Sequence, residues 1–167
     1  GSEKGVEDKP IYLEVHRHDQ EDLTLVDLPG ITRVAREGQD GSGAELEALI
    51  KGMARQYCEP KETIILNVVS AMVDFSTSAS LQLSQELDPS GRRTLLCVTK
   101  VDQHAEAGLA RKARDAIKQM RLGKESVFLV RNRSQRENEQ KLPLAEARKV
   151  EKDYFERNKE LKQGAHH

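Results

Sequence analysis

Three apolar, β-prone runs constrain this chain more than any other feature. They are Thr63-Ile64-Ile65-Leu66-Asn67-Val68-Val69, Thr94-Leu95-Leu96-Cys97-Val98 and Val127-Phe128-Leu129-Val130. Near-continuous runs of this kind suit strands of a parallel sheet that helices cover on both faces. Segments of helical period separate them. Residues 79–87 predict a helix that ends before the turn Asp88-Pro89-Ser90-Gly91. Leu109, Ala113, Ile117 and Met120 mark a second helix, stopped by Gly123. Pro143 opens a third, with Leu144, Ala147, Val150 and Tyr154 on its apolar face. Upstream, Leu46, Leu49, Ile50, Met53 and Tyr57 make another apolar helical face, and Pro60 limits that helix. Further upstream, residues 11–15 alternate apolar and polar, residues 16–22 read as a turn, and residues 23–26 read as a second strand. That pattern predicts a hairpin. Residues 38–43 read as flexible, and residues 135–141 as a mobile polar loop. The order predicts an α/β fold, a mostly parallel sheet with helices on both faces.

Length and composition narrow the function. At 167 residues and 37% hydrophobic, the chain holds one compact domain and is too short for two. Its net charge of -1 provides no field to draw it onto nucleic acid or an acidic membrane, and 4% aromatics leaves little for base stacking. Nucleic acid is therefore not an expected partner. Cys58 and Cys97 have no metal-ligand spacing and fit a reducing, cytoplasmic setting. No apolar run is long enough to span a bilayer, and no signal peptide opens the chain. Gly1-Ser2 reads as a cleavage scar, and Ala165-His166-His167 as either tag remnant or native sequence. His16 and His18 share one strand face without a third ligand and read as surface histidines. Arg111, Lys112, Arg114 and Lys118 read as a solvated helix face.

In open α/β sheets, ligands bind beyond the carboxyl ends of the strands. Three strand ends here carry polar motifs. Asp27-Leu28-Pro29-Gly30 places a carboxylate where it can hold Mg2+ and a glycine whose N–H can approach a terminal phosphate. Alone, the same tetrapeptide is an ordinary turn. Thr99-Lys100-Val101-Asp102 follows the second run. Guanine offers N1–H and the N2 amino group as adjacent donors, and one carboxylate accepts both, so Asp102 is placed for that base. The aliphatic stem of Lys100 can lie along its face. The competing reading is a solvated charged loop. Asn132-Arg133-Ser134-Gln135 follows the third run and can close over the far edge of the base, or be a plain polar loop. Taken together in this order, the three motifs point to a guanine nucleotide.

With these residues in view, the chain resembles the GTPase domain of the dynamin superfamily. The stretch Leu23-Thr24-Leu25-Val26-Asp27-Leu28-Pro29-Gly30-Ile31-Thr32-Arg33 looks like the switch segment of dynamins and Mx proteins. Ser70-Ala71-Met72-Val73-Asp74, Leu87-Asp88-Pro89-Ser90-Gly91-Arg92-Arg93-Thr94 and Asn132-Arg133-Ser134-Gln135 extend the likeness, which runs over residues 10–155. Plant or algal dynamin-related proteins are the nearest expectation. The resemblance implies a P-loop GTPase-like fold, GTP and GDP as ligands, and Mg2+. It implies that Asp27 and Gly30 serve Mg2+, the γ-phosphate and the attacking water. Lys100, Asp102, Asn132, Arg133 and Gln135 would hold the guanine. Asp74 matches a loop that braces a partner GTPase domain, which implies nucleotide-dependent self-association. Its competing reading is a helix-capping carboxylate. Membrane association and mechanical work would come from regions outside this chain.

One part of the pattern is missing. No Gly-x-x-x-x-Gly-Lys-Ser/Thr occurs in the sequence, so the phosphate cradle, its lysine and the metal-binding hydroxyl have no counterpart. The switch threonine of the family is missing too. The family places both ahead of the Asp-Leu-Pro-Gly strand, so the chain is expected to be truncated at its N-terminus and inactive alone. Residues 1–9 are expected to be a flexible start, 10–158 a partial GTPase domain and 159–167 a tail. The alternative is a catalytically incompetent GTPase domain acting as a binding module.

Overall fold

The computed structural model describes residues 7–31, 43–103 and 106–162. The predicted flexible stretch from 38 lies almost entirely outside these residues, as do both chain ends. The chain forms two compact units, residues 1–60 and 61–167.

In the first unit, residues 7–31 form no strand, and the expected hairpin is not there. Ile11, Leu13 and Leu25 are 96%, 86% and 81% exposed. A two-stranded hairpin is marginal in water without a third strand or helix over its apolar face. Nothing in this stretch covers that face, so alternation alone does not make a ladder. Helix α1 spans Gly43–Cys58. Glu45 in its first turn and Arg55 in its last complement the helix dipole. Glu47 and Lys51 pair at 2.7 Å one turn apart. Ile50, Met53 and Ala54 are its buried side chains.

The second unit is built on a three-stranded sheet in the order β1-β2-β3. The strands are β1 Ile65–Ser70, β2 Thr94–Thr99 and β3 Val127–Leu129. Both pairings are parallel, with Ile65 opposite Thr94, Ser70 opposite Thr99 and Val98 opposite Leu129. The helices are α2 Ala79–Leu87, α3 Glu106–Met120, α4 Gln135–Glu139, α5 Leu144–Arg157 and α6 Lys159–Lys162. This is the α/β arrangement that the apolar runs predict. Val69, Leu96, Val98, Leu109, Val127 and Phe155 belong to one core cluster. Leu161 of α6 joins it, so the expected tail begins with a packed turn. On β1 the residues alternate in burial: Ile65, Asn67 and Val69 face inward, while Leu66 and Val68 are 57% and 60% exposed. The buried Asn67 amide donates to Ser84 Oγ at 2.6 Å, which donates in turn to Ser80 O, tying β1 to α2.

Two local expectations are corrected. Gly123 does not stop α3. Arg121 turns left-handed at φ 55° and the buried Leu122 returns its N–H to Ile117 O at 3.0 Å. That six-to-one bond closes the helix two residues early. Residues 135–141 are not a simple loop either. Ser134 and Glu137 form a reciprocal capping box, and α4 follows it.

Candidate functional site

Because all three strands run parallel, the segments after Ser70, Thr99 and Leu129 leave the same rim of the sheet. Within the second unit this brings together Asp74, the Lys100–Asp102 turn and the Asn132–Gln135 segment. Asp27 and Gly30 belong to the first unit, in the stretch without regular structure. Asp27 is exposed there.

The central segment is held from three directions. Ala71 N donates to Thr99 O at 2.8 Å and Val130 N to Val98 O at 2.8 Å, which extends both ladders past the formal strand ends. Lys100 then adopts a left-handed conformation at φ 57°. That reversal sends Val101 fully inside, while Lys100 and Asp102 face solvent. A 3-10 turn covers Val101–Gln103, and Tyr154 of α5 donates its hydroxyl to Val101 O at 3.1 Å. The Asp102 carboxylate makes no hydrogen bond or ion pair among the described residues, so its acceptor sites are unspent.

The flanking segment after β3 is braced by acidic side chains. Arg131 N donates to Glu151 Oε1 at 2.9 Å. Its guanidinium Nη2 grips both Glu137 oxygens, at 2.8 and 3.1 Å. Ser134 N also donates to Glu137, at 2.7 Å. The Arg131 bond, followed by the Ser134 contacts, brings the Glu137 carboxyl down to about 2. Asn132, Arg133 and Gln135 are all exposed. Arg133 Nη1 donates to Leu142 O at 2.8 Å, and Gln135 Nε2 to Glu139 Oε1 at 2.9 Å, so part of their donor capacity is used locally. A cleft of about 290 Å³ lies on the α5 side, lined by Arg131, Asn132, Arg133, Asn138, Arg148 and Glu151 among others. Neither Lys100 nor Asp102 lines it.

On the other flank, Asp74 caps a 3-10 turn at Phe75–Thr77. Its Oδ1 accepts from Ser76 N at 3.0 Å and Ser76 Oγ at 2.9 Å. These two bonds lower its pKa, and the Lys112 charge adds to them. The side chain is exposed, and Oδ2 has no partner among the described residues. Capping and an outward acceptor therefore coexist in one carboxylate.

The anchors Glu151 and Arg131 escape sequence reasoning, because nothing in their local pattern marks them; helical period places Tyr154 on an apolar face but does not reveal its hydroxyl bond to Val101 O. Glu137 is different: Ser134-x-x-Glu137 is a capping-box signature in plain view. Among the described residues no three His, Cys, Asp or Glu side chains cluster as a metal site. No helix there is long and apolar enough to cross a membrane.

A parallel α/β unit with three polar segments on one strand rim fits a P-loop GTPase-like domain. The sequence model of the Dynamin family matches residues 1–101, and the chain belongs to that family, within its GTPase domain. It is 48% identical over 117 residues to dynamin-related protein 4C of Arabidopsis thaliana, covering 70% of this chain and 17% of that protein. It is 36% identical over 159 residues to the interferon-induced GTP-binding protein Mx of Ctenopharyngodon idella, covering 93% and 24%. Against Mx1 of Equus caballus it is 38% identical over 161 residues, covering 95% and 24%. The chain thus spans 17% to 24% of the length of these relatives.

Proposed function

We propose that this chain carries the base-recognition part of a GTP- and GDP-binding site, and that the complete protein hydrolyses GTP. The observation that carries the reading is Asp102: an exposed carboxylate with no partner among the described residues, on a turn fixed by left-handed Lys100 and buried Val101. It accepts guanine N1–H and the N2 amino group together, and the Lys100 stem lies along the base. Asn132, Arg133 and Gln135 close the far edge, the last two exchanging their local bonds for contacts with the base. Asp27 is assigned to Mg2+. That ion is held by one or two carboxylates with phosphate oxygens and water completing its shell, so a single carboxylate fits. An Mg2+ held by Asp27 would supply charge neutralisation of the phosphates. Gly30 offers its N–H to the γ-phosphate and the attacking water; among the described residues, its chain neighbours apart, no atom stands within 4 Å of where its Cβ would be.

Self-association through the Asp74 rim, mechanical work on a membrane or assembly and a cytoplasmic location extend the same reading. The free Asp74 Oδ2 supports the first: a carboxylate on the nucleotide rim can cross a two-fold axis, and symmetry repeats the contact. A binding module without turnover is the second reading; multiple-turnover phosphate release by the complete protein separates the two.

Asp102→Asn tests the base assignment. In the complete protein it should weaken GTP and GDP binding by roughly 2–4 kcal/mol, the loss of a bidentate charge-assisted contact. It should strengthen binding of xanthosine nucleotides, whose O2 accepts from the new amide. Equal GTP affinity before and after, by calorimetric titration, would sink the assignment.

A further inference from the structure

The basic cluster on α3 is not one solvated face. Arg111, Arg114 and Lys118 are exposed, but Lys112 is half-buried. It stands three residues after Leu109 and four before Ala116, both buried, so it borders the core-facing stripe of the helix. From there its ammonium reaches under the loop that follows β1. Nζ donates to Ala71 O at 3.1 Å and to Val73 O at 3.4 Å. It also lies 5.9 Å from the centroid of the buried Phe75 ring. No other hydrogen bond among the described residues reaches either carbonyl.

We propose that Lys112 is the positioning residue of the 70–77 loop: by tying two loop carbonyls to α3 it holds Asp74 on the rim in the geometry that pairs with a second copy of this domain. The inference rests on the self-association reading above. An ammonium has three donors and no acceptor, and two of them are committed to consecutive bends of one short loop. Removing them leaves two carbonyls to find water and frees the loop from its helix. The same helix follows the Lys100–Gln103 turn in the chain. The element downstream of the base-recognition turn is thus the one that grips the pairing loop.

The test compares Lys112→Met, Lys112→Arg and Asp74→Ala in the complete protein. Dimer fraction is measured by light scattering with GDP and aluminium fluoride, alongside GDP affinity, melting temperature and hydrogen exchange of loop amides. Lys112→Met keeps the stem and removes charge and donors. It should lower the dimer fraction several-fold and speed exchange at the Ser76 and Thr77 amides. GDP affinity and melting temperature should stay at wild-type values. Lys112→Arg should restore pairing. Should Lys112→Met not fold, Lys112→Gln carries the same comparison. If Asp74→Ala loses pairing while the Lys112 variants pair as wild type, the positioning role is wrong and the self-association reading stands. If neither substitution changes pairing, or the wild type does not pair, both are wrong. Loss of pairing that follows a lower melting temperature and is not restored by arginine marks a structural role only, and overturns the proposal.

Discussion

At Gly91 a single missing Cβ lets the turn before β2 close. Its φ is 67°, and a Cβ there would stand 2.5 Å from Met120 O and 2.7 Å from Arg121 O. Left-handed backbone favours glycine, and here rigid main chain also occupies the side-chain space. The turn is held by Asp88, which accepts from Ser90 Oγ, Arg93 N and Thr94 Oγ1 at 2.8, 3.0 and 2.8 Å. Burial pushes the Asp88 pKa up, and these bonds more than offset it, so the net direction is down. Arg93 completes the knot by donating to Thr63 O and Leu87 O. Gly91→Ala should therefore destabilise the domain by roughly 2–4 kcal/mol, strain and collision together. A denaturant midpoint unchanged from wild type would contradict this. The turn itself was legible as Asp-Pro-Ser-Gly. The contact with the end of α3 was not, because it joins positions about thirty residues apart in the sequence.

At the scale of elements, α4 shows how a polar segment becomes a helix. Residues 135–139 have no apolar face, and composition alone reads them as a loop. The helix stands because Ser134 and Glu137 satisfy each other's backbone donors, and because Arg131 grips the same carboxylate. Glu137 titrates at about 2 in the fold, below its ordinary 4.5. Its contribution to stability is complete above 4.5 and is lost as pH falls towards about 2. Glu137→Gln should lower the melting temperature at neutral pH, modestly because the pair is partly solvated and screened by salt. The gap from wild type should close between pH 4.5 and about 2. A gap that stays constant across that window would assign the effect to lost packing instead. The long helices and three strands were legible because burial writes its period into the sequence. Short elements made by caps and ion pairs leave only a local signature, and the left-handed closure at Arg121 leaves none.

Across the whole molecule, legibility divides at the sheet. The parallel strands, their order of appearance and the polar segments on their rim follow from apolar runs and strand-end motifs. The hairpin expected at 11–26 does not, since alternation specifies a strand only where something covers its apolar face. The same division governs what this chain can do alone. Phosphates carry the charge of a nucleotide, and phosphoryl transfer depends on positioning and stabilising that charge. On the proposed reading Asp102 serves the base, but the sequence has no glycine-rich cradle or phosphate lysine, and its Asp27 is exposed in a stretch without regular structure. This chain by itself should therefore distinguish guanosine from adenosine while gaining little from added phosphates. GTP should bind within about tenfold of guanosine, a difference of roughly 1.4 kcal/mol. Multiple-turnover phosphate release should not exceed a no-protein control. Isothermal titration with guanosine, GDP and GTP, beside a phosphate-release assay, checks both. GTP binding more than about a hundredfold tighter than guanosine, roughly 2.7 kcal/mol, would mean that these residues form a phosphate site without the usual loop. Sustained release abolished by Asp27→Ala would place catalysis within this chain and overturn the expectation.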